Sequence, residues 1–439
     1  MGRLTFPGGI HTYDGKELSM DKPTTVLLPK GDLVFPLSQH IGAPAKPIVA
    51  KGDRVLVGQK IAEASGFVSA NIISSVSGTV KAIEKRLTVQ GNMVESIIVE
   101  NDNEYEKIEG FGVALDYTKL TKEEIRNRVK EAGIVGLGGA GFPTHIKLSP
   151  KDDSQIDYVL VNGAECEPYL TSDYRMMLEE PEKIVGGLSI MLRLFDKAKG
   201  IIAVEDNKPE AIKKLRDLVQ KEPNIEVQPL KTKYPQGGER QLVYATTGRK
   251  LNSKKLPSDV GCVVDNIDTV IAIYMAVALN TPLIRKIITV TGDAIKNPQN
   301  FNVAIGTEYT QLLEAAGGYV DRPEKIISGG PMMGNAMYTC NVPVTKNSSA
   351  FLGLLKDKAA VQESPCIRCG KCITVCPLQL MPFELAACGN RNDEDGFVKF
   401  DGMECCGCGC CSYICPAKRS LSQSIMQTRA SVMSKKKKA

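Results

Sequence analysis

Eleven of the fourteen cysteines fall between Cys366 and Cys415, and such crowding usually means metal. Two strings repeat one pattern. Cys366, Cys369, Cys372 and Cys376 lead into Pro377, and Cys405, Cys408, Cys411 and Cys415 lead into Pro416, as C-x2-C-x2-C-x3-C-P both times. A cubane needs four thiolates from different directions, three from one tight loop and the fourth from a distant point of the chain. The spacing meets that demand twice if each cysteine before a proline reaches across to the other loop. It assigns Cys366, Cys369, Cys372 and Cys415 to one [4Fe–4S] cluster, and Cys405, Cys408, Cys411 and Cys376 to a second. Each proline removes a backbone donor where the chain leaves the cluster. Paired zinc sites are the alternative, but zinc motifs rarely repeat this spacing with a proline twice. Cys406 and Cys410 do not fit the pattern; with Cys166, Cys262, Cys340 and Cys388 they read as buried thiols. Two clusters make the chain a carrier of single electrons.

A second candidate lies far upstream. Gly136-Leu137-Gly138-Gly139-Ala140-Gly141-Phe142-Pro143-Thr144 contains G-x-G-x-x-G. A dinucleotide fingerprint of that form follows a strand and opens a helix. Here a predicted helix precedes it, so spacing alone leaves a flexible loop and a phosphate cradle equally open. The glycines do permit close approach of backbone to a flat or anionic ligand. His11, His40 and His145 are too scattered for a metal site, and His40 reads as a structural histidine.

The chain has 439 residues, 43% hydrophobic and 24% charged, with a net charge of +5. That is a soluble, multidomain composition. The modest charge and the absence of Trp give no support for nucleic-acid binding. The longest apolar run, Val270 to Leu279, is ten residues, about half of what crosses a bilayer, and reads as a buried helix. No apolar signal core follows the N-terminus, which predicts residence on the cytosolic side, where thiols stay reduced.

Residues 1–115 read as β, with short apolar runs at Val26–Leu28, Pro47–Val49 and Ile97–Val99 between turn signals. Gly52–Gln59 and Ser75–Val80 resemble the paired half-motifs of biotinyl/lipoyl hammerhead domains. Those domains carry a modifiable Lys at the tip; here the tip, Gly66–Asn71, has none, which predicts a structural or docking module. Residues 120–284 alternate helix and strand, as a parallel α/β sheet requires. A capping box at Thr121–Glu124 opens the first helix and Gly133 closes it. Strands follow at Tyr158–Val161 and Gly200–Val204, with helices near Glu182–Phe195 and from Pro209. Residues 285–345 return to short strands. Residues 346–364 read as a linker, 365–425 as the cluster-binding region and 426–439 as a basic tail. Its Lys435–Lys438 run is either solvated or drawn to anionic lipid or an acidic partner.

The longer string Gly136–Lys147 resembles the flavin and NADH loop of the complex I flavoprotein subunit family. In the same order, Asn162–Pro168 resembles that family's N-A-D-E-S-E-P segment, Tyr234–Glu239 its Y-x-x-G-E-E segment, and Asn266–Thr269 its N-V-E-T. Ala164 stands where that family has Asp, and Gly238 replaces the first Glu of its pair. More extensively, the chain resembles the RnfC family, the C subunits of Rnf electron-transport complexes. Gly8–His11, Pro36–Pro44, Glu205–Pro209, Gly329–Gly334 and both cysteine strings carry the likeness.

The resemblance implies a multidomain α+β protein: an N-terminal barrel-sandwich hybrid, an α/β flavoprotein domain, a β-grasp-like SLBB domain and a C-terminal bacterial-type two-[4Fe–4S] ferredoxin domain. It implies non-covalent FMN surrounded by Gly136, Gly138, Gly139, Lys147, Asn162, Glu165, Tyr234, Gly237, Gly238, Glu239, Asn266 and Thr269. Phe142 and Glu167 would meet NAD(H). The activity implied is hydride exchange between NAD(H) and FMN, with single electrons passing through the clusters. It would serve a membrane-bound ferredoxin:NAD oxidoreductase that translocates Na+ or H+. The partners are the complex's ferredoxin-like iron–sulfur subunit and its membrane subunits, and the place is peripheral, on the cytoplasmic face of the membrane. Competing readings are a soluble RnfC-like reductase (a cobalamin reductase or the electron carrier of proline reductase) and a cofactor-poor docking protein.

Overall fold

The computed structural model describes residues 4–436, and among them the strands form four sheets. The site is built around the parallel one, ordered Ile225–Leu230, Lys199–Glu205, Tyr158–Gly163, Cys262–Asn266. Its strands read as unbroken apolar runs because both faces are covered. Val159, Val161, Ile202 and Val204 face helices Pro181–Leu192 and Ile267–Ala278 on one side. Leu160, Ile201 and Ala203 face helix Glu239–Thr247 on the other. The helix Lys122–Glu131 starts at a Thr121/Glu124 capping box, as the sequence predicts. Val270–Leu279 falls almost wholly within the buried helix Ile267–Ala278.

The N-terminal region packs two small antiparallel sheets over a shared core of Leu33, Phe35, Val55, Ile61, Ile72, Val80, Ile97 and Val99. A six-stranded sheet holds the region after residue 285. Beyond it, helices Lys371–Thr374, Pro382–Asn390, Glu394–Lys399, Cys410–Ile414 and Leu421–Lys436 surround the cysteines.

Three expected boundaries move. Strand Thr25–Leu27, within residues 1–115, pairs not with the N-terminal sheets but in parallel with Gln299–Ala304 at the edge of the six-stranded sheet. Ala350–Leu354, expected in a linker, is an inner strand of that sheet between Arg285–Thr291 and Lys325–Ser328. Its short apolar run looked like linker because its partners lie far away in sequence. Residues 426–436 are not a loose tail but the greater part of helix Leu421–Lys436, anchored by buried Ile425 and Val432. Lys437 and Lys438 of the basic run lie outside the described residues.

Candidate functional site

The glycine loop leaves helix Lys122–Glu131 and is pinned as a hairpin. Gly136 N donates to Phe142 O at 2.8 Å, and Val135 bridges Pro143. Thr269 Oγ1 accepts from Leu137 N at 2.9 Å. Lys286 Nζ, itself bonded to Asp268 at 2.8 Å, donates to Leu137 O at 3.1 Å. Gly138 sits so close to Asn266 that an added Cβ would lie 2.7 Å from its Cγ, whereas a Cβ on Gly139 would meet nothing within 4 Å.

Two cavities open on either side of this loop and share Gly138, Gly139, Ala140, Asn162, Gly237, Glu239 and Asn266 as a common wall. The smaller, about 670 Å3, has the volume of a cofactor or substrate site, and the larger, about 1190 Å3, is roomier still. The smaller is floored by the turn after strand Tyr158–Gly163. There Asn162 Nδ2 donates to Gly237 O at 2.8 Å, and Gly237 N donates to Cys166 Sγ at 3.2 Å. Glu165 sits at φ +49°, in the left-handed region. Non-glycine residues held there cluster at functional sites. Its Oε1 accepts from Asp173 N at 2.7 Å at the start of helix Ser172–Glu179. Burial pushes its pKa up against the pull of Lys16 and Lys208.

Three further features fit a polar, planar guest. The Tyr234 hydroxyl is buried without a hydrogen-bond partner among the described residues. Helix Glu239–Thr247 starts at Gly238 with no side-chain cap, leaving its first N–H groups facing the cavity. Lys147 lines the larger cavity, bonded to Val264 O at 2.9 Å and Asp265 Oδ1 at 3.2 Å. Burial works against its charge, but Asp265 and Glu239 outweigh that and raise its pKa.

The cysteines gather in two groups. Cys366, Cys369, Cys372 and Cys415 line one small cavity; Cys376, Cys405, Cys408 and Cys411 line another, with Cys406 and Cys410 beside them. Among the described residues no group of three or more His, Cys, Asp or Glu is gathered so as to hold one metal ion; the thiols stand around cavities instead. Backbone amides of Leu380 and Gly407 point at Cys376 and Cys405 Sγ, both at 3.4 Å. Cys408 and Cys406 also line the smaller of the large cavities, so one thiol group adjoins it. Cys366 and Cys369 of the other group are exposed.

Family models match three stretches: a Nuo51 FMN-binding domain over residues 129–275, an RnfC barrel sandwich hybrid domain over 4–104, and an SLBB domain over 287–336. The C subunit of the Na+-translocating ferredoxin:NAD+ oxidoreductase complex of Acetobacterium woodii is 43% identical over 99% of this chain and 98% of its own length. The proton-translocating counterpart of Clostridium ljungdahlii is 44% identical over 88% of this chain and 85% of its own. The chain belongs to this RnfC family. Among solved structures, an NAD+-reducing [NiFe]-hydrogenase in the H2-reduced state is similar at 16% identity and TM-score 0.49, over 73% of this chain and 62% of that one.

The family likeness drawn from the motifs is thus borne out, and so is the mixed α+β build with its barrel-sandwich, flavoprotein and SLBB parts. In this RnfC-family chain, every residue expected around FMN or NAD(H) lines one of the two cavities except Thr269, which is fully buried behind the loop and holds Leu137. Phe142 and Glu167, expected at one nucleotide, are not brought together. Phe142 lines the larger cavity and Glu167 the smaller. Glu167 Oε1 is occupied by the amides of Met332 and Met333 at 2.7 and 3.1 Å. Nor is Cys406 a buried thiol: it is exposed at the cavity edge, and Cys166 and Cys340 are half-buried.

Motif reading missed Asp173, whose carboxylate accepts from Asn266 Nδ2 at 2.6 Å inside the smaller cavity. Burial, then Glu165 and Asp268, raise its pKa to about 7. It also missed Lys16 and Lys286, both buried. A lone Asp on a helix and two lysines, one in a short 3-10 turn and one in a strand, carry no signal until the chain folds them together.

Proposed function

We propose that this chain is the NAD(H)-handling iron–sulfur subunit of a membrane-bound ferredoxin:NAD oxidoreductase that translocates an ion. The observation that carries the reading is one continuous arrangement: the larger cavity meets the smaller across Gly138 and Gly139, and the smaller shares a wall with the thiols at Cys406 and Cys408. FMN would occupy the smaller cavity, against Gly138, Gly139, Asn162, Glu165, Tyr234, Gly237, Gly238, Glu239 and Asn266, with Gly136 and Lys147 at its border. NAD(H) would enter by the larger cavity past Phe142. Bound FMN supplies the conversion between an electron pair carried as hydride and single electrons. The chain itself needs no nucleophile. Gly139 lets a ring lie on the backbone, Lys147 brings positive charge, and the Asn162 and Asn266 amides orient what lies between them.

Cys376, Cys405, Cys408 and Cys411 would hold the cluster next to the flavin, and Cys366, Cys369, Cys372 and Cys415 the outer one, in a ferredoxin-like domain. Bound there, the clusters supply one-electron carriers whose potentials the amides of Leu380 and Gly407 tune. Exposure of Cys366 and Cys369 makes the outer group the place where another redox protein of the complex approaches. Among the described residues no helix is long and apolar enough to cross a membrane, so attachment to the cytoplasmic face runs through other subunits. The full-length likeness to translocating complexes favours this reading over a soluble reductase.

The test is anaerobic purification with flavin and iron quantification, then NADH addition followed by visible absorbance. One FMN and roughly eight irons per chain, both bleached by NADH, is the expected result. Iron without flavin removes the NAD(H) assignment; flavin without iron removes the electron path.

A further inference from the structure

The hammerhead tip of the N-terminal module, which carries no modifiable lysine, does not project into empty solvent. Its turn, between strands Lys60–Glu63 and Ile72–Ile73, brings Phe67 to the lining of the larger cavity. The ring is 85% exposed. Single exposed apolar side chains are ordinary, so exposure alone says little. Two further observations make this one informative.

First, the tip is held. Ser69 Oγ bonds Ala43 O at 2.9 Å, Ser65 N donates to Ser69 Oγ at 3.1 Å, and Ala43 N donates to Val68 O at 2.9 Å. The Ala70 amide donates to His40 Nε2 at 3.1 Å. The loop that grips the tip is tied in turn to the glycine loop, because Ile41 N donates to Gly141 O at 3.2 Å. Gly141, at φ +71°, lies so near that a Cβ there would sit 3.2 Å from Gln39 O. The backbone that carries Phe67 therefore keeps a set position relative to Gly139 and Phe142 although it belongs to another module.

Second, Phe67 and Phe142 are the aromatic rings in that lining, in a cavity about 1190 Å3 large, which also presents Lys151 and Lys250. A dinucleotide has two planar groups. Hydride transfer requires the nicotinamide to lie on the flavin, at the wall shared by the two cavities. Phe67 lines the larger cavity alone and is not part of that wall; the planar group left for it is the adenine, and base–aromatic stacking is the interaction such a ring offers.

We propose that Phe67, delivered by the tip of the N-terminal module, stacks on the adenine of the bound dinucleotide and completes a nucleotide site that the flavoprotein domain leaves open. The module thus serves substrate binding from the position where its lookalikes carry a swinging cofactor. The inference rests on the nucleotide reading above, and the test separates the two.

Oxidised, flavin-loaded protein is titrated at equilibrium with NAD+ and with nicotinamide mononucleotide, which lacks the adenine; neither can react. In F67A, NAD+ should bind about tenfold more weakly while nicotinamide mononucleotide and flavin content stay at wild-type values, and F67Y should restore NAD+ binding. The exposed tip makes either variant safe for folding. Unchanged NAD+ affinity in F67A overturns the proposal, as does an equal loss for both ligands. Wild-type protein that keeps its flavin yet binds neither ligand sinks the nucleotide site, and this proposal with it.

Discussion

Replacing Gly139 by alanine separates the fold of the glycine loop from its use. The backbone there is outside the left-handed region, and a Cβ would meet nothing within 4 Å. Gly→Ala at such a position reduces the freedom of the unfolded chain and stabilises by roughly 0.4–1 kcal/mol. The apo protein should melt at the wild-type temperature or slightly above. Flavin binding should move the other way. A carbon added roughly 1.5 Å out from Cα stands where a ring resting on the backbone at about 3.5–4 Å would be. The resulting overlap costs on the order of 1–3 kcal/mol, or about 5- to 150-fold in FMN affinity. The assay pairs a thermal melt of flavin-stripped protein with an FMN titration of the same sample. Gly138→Ala is the contrast: its Cβ would fall 2.7–2.8 Å from Asn266 atoms, and Asn266 both caps helix Ile267–Ala278 and bonds Asp173. There, stability and flavin should fall together. Wild-type FMN affinity in Gly139→Ala would refute the glycine loop as the flavin cradle.

Cys408→Ala should lower iron from about eight to about four per chain and keep FMN, whereas Cys406→Ala should keep all the iron; iron and flavin assays decide, and iron loss in Cys406→Ala would reassign the ligand set. Asp173→Asn tests the buried carboxyl. Its folded pKa is raised to about 7 from 3.8, so the folded state holds the extra proton between those values and wild-type stability falls as pH rises through that window. The melting temperature of Asp173→Asn minus wild type should therefore grow from about pH 4 to 7 and level off above; a flat difference would show that the carboxyl ionises normally. Glu404→Ala removes the acceptor of Arg240 at 3.0 Å and of the Ser253 amide at 2.7 Å. These bonds tie the thiol region to the flavoprotein sheet, so NADH should still bleach the flavin while cluster reduction slows in stopped flow. Equal rates would make that tie irrelevant to electron transfer.

What could be read in advance depended on how local the cause was. The Thr121/Glu124 capping box, the alternation behind the parallel sheet and the grouping of thiols by loop spacing all act within a few turns of chain. The strand Ala350–Leu354 exists because Thr289–Thr291 and Lys325–Ser328 stand on either side of it, and nothing within ten residues announces that. Helix Leu421–Lys436 escaped notice because its serines, glutamines and threonine blur the apolar stripe, although Ile425 and Val432 still anchor it. Thr269 matched a motif and lies one layer behind the cavity, since a motif gives proximity but not which atoms face the guest. Asp173 and Phe67 matched no motif. One is made significant by burial beside Glu165 and Asn266, the other by a module with its own core that reaches the cavity through space.

The buried lysines explain how separate modules can hold one site to the needed tolerance. Lys16, Lys286 and Lys346 are each at most 5% exposed, and each leaves its own module to bind backbone carbonyls next to the cavities. Lys16 donates to Glu167 O at 3.1 Å and to Leu170 O, Lys286 to Leu137 O, and Lys346 to Gly133 O at 2.7 Å and to Asn71 O. Between them they fix both ends of the glycine loop's first half and the turn below the smaller cavity. Burying an ammonium is costly, and burial pulls the Lys346 pKa down to about 7, so apolar replacements could match these lysines in stability. They could not match them in direction, because a charge-assisted bond to a carbonyl sets distance and angle where an apolar contact sets only proximity. In the proposed site, where hydride and single electrons would pass between neighbouring cavities, placement matters more than the last kilocalorie of stability. That is reason enough for three modules to be pinned by lysines around Gly136–Gly139 and not merely pressed together.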